Sequence, residues 1–415
     1  MKHRLLGILG AAPSQVPLIF QAATAGIPTV VIDPLPQRPG HLFATGSSAY
    51  VDLRDKAAVA DVCIELGVAG VGTAGSDIAL EALAHVTQAL GLPNGVPLAA
   101  LQTSRNKIAQ RRVLQRLKAP SPWFAPGDQY AQCAARLQAG NALVVKPVDL
   151  WGSLGVTVVT PPGQGALHLR KAIADARRLS PTRNVIVEDF LDGPEYVLDI
   201  RSRDGIVTSL RAAHKLKMDG RRAQGGVPAF WTDASGLSLG PAWTSDIWST
   251  VQAVVSELSP SWSGFINLNC IVGASQAMIL EFGYRMGGNW NGAICDIHLG
   301  SDHGLQLLAD CLPDLAFSMR NAKSGFLSNV DSPHAYRPVS MAYDARVAAR
   351  ILGRLPDVLP RDAPFQIDRV LGDVPGEGAD SGSFPSVGGC LVIWRFPKHW
   401  DYERIGEALR GIDPS

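Results

Sequence analysis

Two kinds of apolar segment take turns over the first hundred residues. A short apolar run at 5–10 is followed by a small-residue turn at 11–14, a helically periodic stretch at 15–25 stopped by Gly26, and a β-branched run at 29–32 that ends at Asp33. The alternation continues with a strand at 50–53, a helix at 56–66 closed by Gly67, a strand at 68–71 and a helix at 76–90 closed by Gly91. Strand and helix in strict succession predict an open parallel α/β layer, a Rossmann-like domain over residues 1–105.

From residue 106 the pattern changes. It predicts a basic amphipathic helix at 107–117, a strand-like step at 123–124, a helix at 129–138 and an apolar strand at 143–145 ended by Lys146 and Pro147. A glycine-containing loop at 150–156 runs into a β-branched stretch at 156–160, and a helix at 166–179 and a strand at 185–187 complete a small flap-like region, 106–187. A third region, 188–330, reads as mostly antiparallel strands at 185–190, 195–201, 206–215, 266–272 and 277–282, with helices at 245–258 and 302–318. Residues 331–415 read as a smaller α/β extension with a strand at 390–396 and a final helix at 400–410, and the Gly-, Ser- and Pro-rich stretch 373–389 reads as a surface loop. The expected class is thus α/β joined to α+β.

Composition narrows the function. A chain of 415 residues supports two or three domains, and 46% apolar against 18% charged residues excludes disorder as the main state. With 38 basic and 37 acidic side chains and no long block of one sign, neither a general polyanion-binding surface nor a nucleic-acid partner is expected, while local phosphate binding stays open. Six cysteines without a CxxC suit a reducing compartment. The start MKHRLLGILGAA has features of a secretory signal, but its apolar run of about eight residues is at the short limit and continues directly into the α/β pattern. No stretch approaches the roughly 18 apolar residues of a membrane span, and a cytoplasmic protein without membrane partners is expected.

Several constellations could carry chemistry. Asp33 at the end of a second strand invites a dinucleotide reading, but the turn at 7–12 lacks GxGxxG spacing, which favours a structural turn residue. Lys146 at a strand end, facing the loop with Gly152, Ser153 and Gly155, forms a plausible phosphate clamp; alone it would read as an ordinary exposed lysine. The segment 188–195, Glu-Asp-Phe-Leu-Asp-Gly-Pro-Glu, would run extended across a sheet mouth, where backbone can meet the edge of a heterocycle and a carboxylate can take ribose hydroxyls. Glu281 emerges from an apolar strand and suits Mg²⁺, with Arg285 four residues on able to hold a phosphate or carboxylate; the bland alternative is a Glu281–Arg285 ion pair. Cys295, His298, Asp302 and His303 match no standard zinc spacing and read as structural or pocket-lining. The basic patch of His214, Lys215, Lys217, Arg221 and Arg222 is either a solvated hairpin or a loop near a nucleotide.

Taken in order, these features resemble the ATP-grasp superfamily from Leu5 to about residue 315. The resemblance implies an N-terminal parallel domain, a lid or flap (106–187), a catalytic subdomain (188–330) and a C-terminal extension. It implies ATP and Mg²⁺ as cofactors, with Lys107 and Lys146 on the phosphates under the loop of Gly152, Ser153 and Gly155. Glu188 and the backbone of Asp189 and Leu191 would meet adenine, and Glu195 the ribose. Glu281 is similar to the bridging metal carboxylate, with Asn269 where many members have an acid and Gly283 where many have a metal-binding Asn. The run from Glu281 through Arg285 to Asn289 and Trp290 resembles dipeptide-forming L-amino acid ligases, which implies Arg285, Asn289 and Trp290 at the substrate. Lys146, Arg285 and Glu281 would then be catalytic in forming an acyl phosphate that an amine attacks. The expected partners are a small carboxylate and an amine, with a homodimer as the implied assembly. The alternatives are a bicarbonate-activating member of the carboxylase or carbamoyl-phosphate type, and a nucleotide-binding relative without catalysis.

Overall fold

The structure is a computed structural model that describes residues 4–151, 154–161, 165–222, 228–233, 241–273, 276–288, 303–313, 336–344, 366–371 and 389–397. The first layer is the expected parallel sheet. Its strands β1 (Leu5–Leu9), β2 (Thr29–Ile32), β3 (Ser47–Ala49) and β4 (Val68–Gly72) lie in the order β3-β2-β1-β4. Helices α1 (Val16–Thr24), α2 (Lys56–Glu65) and α3 (Ala79–Leu90) alternate with them, and α4 (Leu98–Ser104) follows. The strand expected at 50–53 sits instead at Ser47–Ala49. Asp52 Oδ1 accepts from the Arg54 N–H at 2.9 Å and Asp55 caps α2 through the Ala58 N–H at 3.1 Å, so turn chemistry ends the extended run early. Asp33 is fully buried and accepts from Ala11 N, Leu35 N and Arg38 Nη1 at 2.9, 3.0 and 2.8 Å, which makes it the tie between the first turn and β2.

After α5 (Lys107–Arg116), a second sheet is built from β5 (Phe124–Pro126), β6 (Leu143–Pro147), β7 (Thr157–Val159) and β8 (Val185–Asp189), antiparallel in the order β5-β8-β6-β7. Helices α6 (Tyr130–Gln138) and α7 (Gly165–Leu179) cover it through Cys133, Leu137, Leu169 and Ile173. Alternation along β6 turns Leu143 and Val145 into this core and leaves Val144 and Lys146 on the opposite face.

The largest sheet has eight strands: β9 (Glu195–Arg203), β10 (Ile206–Arg222), β11 (Pro228–Asp233), β12 (Gly264–Val272), β13 (Ala277–Gly283), β14 (Tyr336–Asp344), β15 (Gln366–Leu371) and β16 (Gly389–Pro397). Their order is β13-β12-β9-β10-β11-β14-β16-β15. The described strands beyond residue 330 therefore continue the central sheet, because β14 pairs with β11 at Trp231↔Met341. Helix α8 (Pro241–Leu258) packs Ile247, Val251, Val254 and Val255 into the core with Leu198, Ile200 and Leu268. Helix α9 (His303–Cys311) wedges between this sheet and the parallel layer, joining Leu305 and Leu308 to Leu6, Ile8 and Phe265. Gly70 on β4 allows that wedge, since a Cβ there would collide with the Cys311 carbonyl oxygen. Among the described residues no helix is long and apolar enough to cross a membrane, and Cys63, Cys133, Cys270 and Cys311 are free and buried.

Candidate active site

Register sets the floor of the site. Across β10, β9, β12 and β13 the residues Arg211, Asp199, Asn267 and Gly283 share one row, and Ala213, Val197, Asn269 and Glu281 share the next on the same face. Asn269 thus lies directly opposite Glu281 and donates from Nδ2 to its Oε1 at 3.3 Å. Helix α5 crosses above β13, where Gln110 accepts from the Phe282 N–H at 2.9 Å and donates to Ser104 O at 2.7 Å. Asn106 caps α5 through the Ala109 N–H at 3.0 Å, so the first helical residue, Lys107, is fixed in direction. Its Nζ donates to Leu150 O at 2.5 Å and lies 3.8 Å from Glu281 Oε2.

One turn along α5, Arg111 is fully buried between β8 and β13, with Nε 2.7 Å from Glu188 Oε1 and Nη2 donating to Leu280 O at 2.5 Å. Lys146 faces Ile186, so it is a diagonal neighbour of Glu188, and its Nζ meets Glu188 Oε2 at 2.6 Å. Glu188 therefore has a cation on each oxygen. Burial alone would raise its carboxyl, but the Arg111 and Lys146 charges outweigh burial and hold it below the usual range. Glu281 behaves likewise: burial would raise it, and Lys107, Lys146, Lys215 and Arg285 together pull it down. Burial and then the Lys146 charge lower Lys107, against the pull of Glu281, Glu188 and Asp77. Four cations thus act on this one carboxylate, and each is itself held by an acid: Lys107 by Glu281, Lys146 by Glu188, Lys215 by Glu195 and Arg285 by Asp77.

The remaining candidates are placed as follows. Glu195 is engaged by Lys215 Nζ at 2.6 Å. Asp189 is held by the Arg136 fork at 2.9 and 2.6 Å, and its N–H goes to Trp123 O at 3.0 Å. Leu191 is half-buried on the connection to β9. Gly155 has φ +73, and a Cβ there would lie 2.9 Å from Pro147 Cγ, so both backbone and space call for glycine beside the strand that bears Lys146. Gly152, Ser153, Asn289 and Trp290 lie outside the described residues, as do Cys295, His298 and Asp302. His303 is buried against the Phe265 ring, and burial with the Arg211 and Arg201 charges pushes it down to about 2, so it is a neutral packing residue. His214 stacks on Tyr196 at 4.9 Å between ring centroids.

Arg285 does not pair with Glu281 at ion-pair distance. Its fork meets Asp77 of the parallel layer, Nε to Oδ1 at 2.9 Å and Nη2 to Oδ2 at 2.6 Å. Burial would lower the guanidinium, and the Asp77 carboxylate more than reverses this, so it is held above its ordinary value. Beneath it Asp199, fully buried, accepts from Gly287 N at 2.7 Å and Asn267 Nδ2 at 3.1 Å, and burial raises it. Asp77, Arg111, Asp199 and Arg211 were not singled out by sequence reasoning. Asn106 before a basic amphipathic helix was the available signal for Arg111, one turn beyond Lys107 on the same face.

For a divalent cation the protein offers the Glu281 carboxylate, 38% exposed, and the adjoining Asn269 amide. Among the described residues no group of three or more acids, histidines or cysteines could hold a metal by itself. One carboxylate with an adjoining amide is a donor set that suits Mg²⁺, which takes one or two protein oxygens and completes its shell with phosphates and water.

No family model matches the chain. It is 27% identical over 218 residues to an uncharacterised protein, y4rH, of Sinorhizobium fredii, a match over 48% of this chain that spans 44% of the relative's length. Solved structures are similar over nearly the whole chain. An L-amino acid ligase from Bacillus licheniformis superposes with TM-score 0.69 at 18% identity, covering 100% of this chain and 98% of that one. N5-carboxyaminoimidazole ribonucleotide synthetase from Thermus thermophilus gives 0.66 at 17%, covering 99% and 98%. The biotin carboxylase domain of 2-oxoglutarate carboxylase from Hydrogenobacter thermophilus, in complex with MgADP, ADP and bicarbonate, gives 0.66 at 12%, covering 95% and 86%. The chain has the ATP-grasp fold, as the order of its motifs implied. The amino acid ligase is one of several kinds of enzyme with this likeness.

Proposed function

We propose that the protein is an ATP-dependent ligase that phosphorylates a carboxylate-type oxyanion and passes the activated carbonyl to an amine, forming a C–N bond with release of ADP and phosphate. The observation that carries this reading is the linked pair of ion pairs at the start of α5 and the end of β6, Lys107 Nζ 3.8 Å from Glu281 Oε2 and Lys146 Nζ 2.6 Å from Glu188 Oε2, with Lys107 also donating to Leu150 O on the loop after β6. The oxyanion attacks the γ-phosphorus, the bond to ADP breaks, and the mixed anhydride then loses phosphate as the amine attacks its carbonyl carbon. Little covalent chemistry is asked of the protein. Lys146, held by Glu188, and Lys107, held by Leu150 O, supply fixed positive charge where the transferred phosphoryl group carries negative charge. Glu281 and Asn269 would hold Mg²⁺, which neutralises phosphate charge when bound. Gly155 lets the loop lie close on β6, so that the flap can exclude water from the anhydride.

Between the two substrate classes, bicarbonate activation is favoured over amino-acid activation. The fork of Arg285, the residue proposed to clamp an amino-acid carboxylate, is already held by Asp77. The carboxylase and carboxyamino-type synthetase among the similar structures support the same choice. The test is ADP release over paired bicarbonate, amino acids and amines, with mass spectrometry of the products. Lys146→Met and Glu281→Gln should each lower turnover by at least about 100-fold, the scale of lost electrostatic stabilisation, with folding retained. Wild-type-like turnover in either variant would sink the assignment, and ATP binding without ADP release for any pair would favour the non-catalytic alternative.

A further inference from the structure

The chain leaving β6 crosses the start of α5 and is fastened there at three points. Val148 O accepts from the Lys107 N–H at 3.0 Å, Leu150 O accepts from Lys107 Nζ at 2.5 Å, and the Trp151 ring lies under the Arg105 guanidinium, whose Cζ is 5.2 Å from the ring centroid. Asp149 ties the same segment to the end of α7, its Oδ1 accepting from Ser180 Oγ at 2.8 Å and its Oδ2 from the Thr182 N–H at 2.9 Å. Two of the three contacts at α5 use backbone carbonyls, which any residue supplies. Only the third depends on the side chain that the loop carries.

Arg105 is itself anchored. It ends α4 with its N–H on Leu101 O at 3.2 Å, directly precedes the Asn106 cap of α5, and pairs through Nη1 with Glu81 on α3. Its side chain is partly desolvated, where a cation over an indole face gains more than in open water. On the far side of the ring the chain turns: Trp151 O accepts from the Leu154 N–H at 3.3 Å, and Gly155, at φ +73, brings the backbone against Pro147. Trp151 therefore stands where the held segment gives way to the turn that leads into β7.

We propose that Trp151 is a positioning residue for the nucleotide phosphates: stacked on Arg105, it fixes the root of the glycine loop to the turn that presents Lys107, so that loop and lysine meet the triphosphate already aligned. The inference rests on the ATP-dependent reading above and adds to it a residue that touches no reacting group. Without the ring the loop root is in place in only a fraction of the molecules, and the apparent affinity falls by that fraction. The loss is confined to ligands that carry phosphates, since residues 188–191, proposed to meet the base, take part in none of these contacts among the described residues.

A non-hydrolysable ATP analogue with Mg²⁺ is titrated calorimetrically onto the full chain, adenosine is titrated by competition against it, and ADP release is followed with the acid and amine that turn over fastest. Trp151→Ala should raise the Kd of the analogue and the KM for ATP about fivefold, the scale of a partly desolvated cation–π contact, while the Kd of adenosine and kcat stay within about twofold. Trp151→Phe, which keeps a ring face, should restore most of the affinity. Arg105→Gln should match W151A, and the double variant should lose no more than either single one. An unchanged Kd for the analogue in W151A, an equal loss for adenosine, or losses that add in the double variant overturn the proposal. A wild type that binds the analogue but releases no ADP with any acid and amine defeats the ligase reading, while the titrations still decide the role of Trp151; a wild type that binds no nucleotide defeats both. Melting curves report folding, and R105Q, which leaves the loop sequence intact, carries the same expectation if W151A melts below the assay temperature.

Discussion

At the scale of single residues the site is held by charges that neutralise one another before any ligand arrives. Glu188 shows the consequence most directly, with Arg111 and Lys146 on its two oxygens and almost no solvent. Because its carboxyl is held below the ordinary 4.5, the stability it contributes is complete above that value and is lost as pH falls through the lower, folded value. Wild-type melting curves should therefore decline on acidification below about pH 4.5. Glu188→Gln should be less stable at pH 7 by about 3–5 kcal/mol, the cost of leaving buried cations without their partner, and should show a flatter acid limb. Denaturant titrations at pH 7, 5 and 4 check both, and parallel pH curves for the two proteins would contradict the role given to this carboxylate. Lys146 and Glu281 were legible in the sequence because each ends an apolar strand beside a turn. Asp77 was not, since its partner lies 208 residues away and nothing local marks a serine-aspartate step before a helix as one half of an ion pair.

At the scale of elements, strands with local turn signals were readable and strands with distant partners were not. The β6–β7 hairpin and the pair β12–β13 follow from apolar runs bounded by glycine, proline or polar turns. Helix α4, and the strands β11, β14 and β15, were missed; β11 and β14 meet each other across the chain, Trp231 with Met341, while β15 pairs with the nearby β16, Val370 with Val392. The flap depends on one backbone feature that the sequence did suggest, the glycine loop after Lys146. At Gly155 an alanine would combine a left-handed backbone with crowding against Pro147 and Leu179. Gly155→Ala should cost about 1–2 kcal/mol locally and loosen flap closure, raising KM for ATP several-fold while the central sheet keeps its melting behaviour. An unchanged KM would separate this loop from nucleotide binding.

At the scale of the whole molecule, the parallel layer and the central sheet share one hydrophobic core, in which Leu80 and Leu83 join Ile279 and Phe282, and two further contacts of different kind tie them. One is polar, the Asp77–Arg285 pair; the other is the α9 wedge, where Arg201 on β9 holds Asp310 and stacks over Phe265 at 4.9 Å. A helix near 302–318 was legible in the periodicity, but not that it would lie between two sheets, because that depends on the bare backbone of β4. Gly70 and Gly72 both face Cys311, so a side chain at Gly70 must displace the end of α9. Gly70→Ala should therefore destabilise the protein by about 1–3 kcal/mol through overpacking. Since α9 buries Leu305 and Leu308 against β1 and α1 while Arg201 ties it to the central sheet, the loss should fall on both layers together. Calorimetry should then find one transition moved to lower temperature, with fluorescence and circular dichroism midpoints coincident. Two separated transitions in G70A, with the second at the wild-type temperature, would mean that the layers fold independently and that α9 does not couple them.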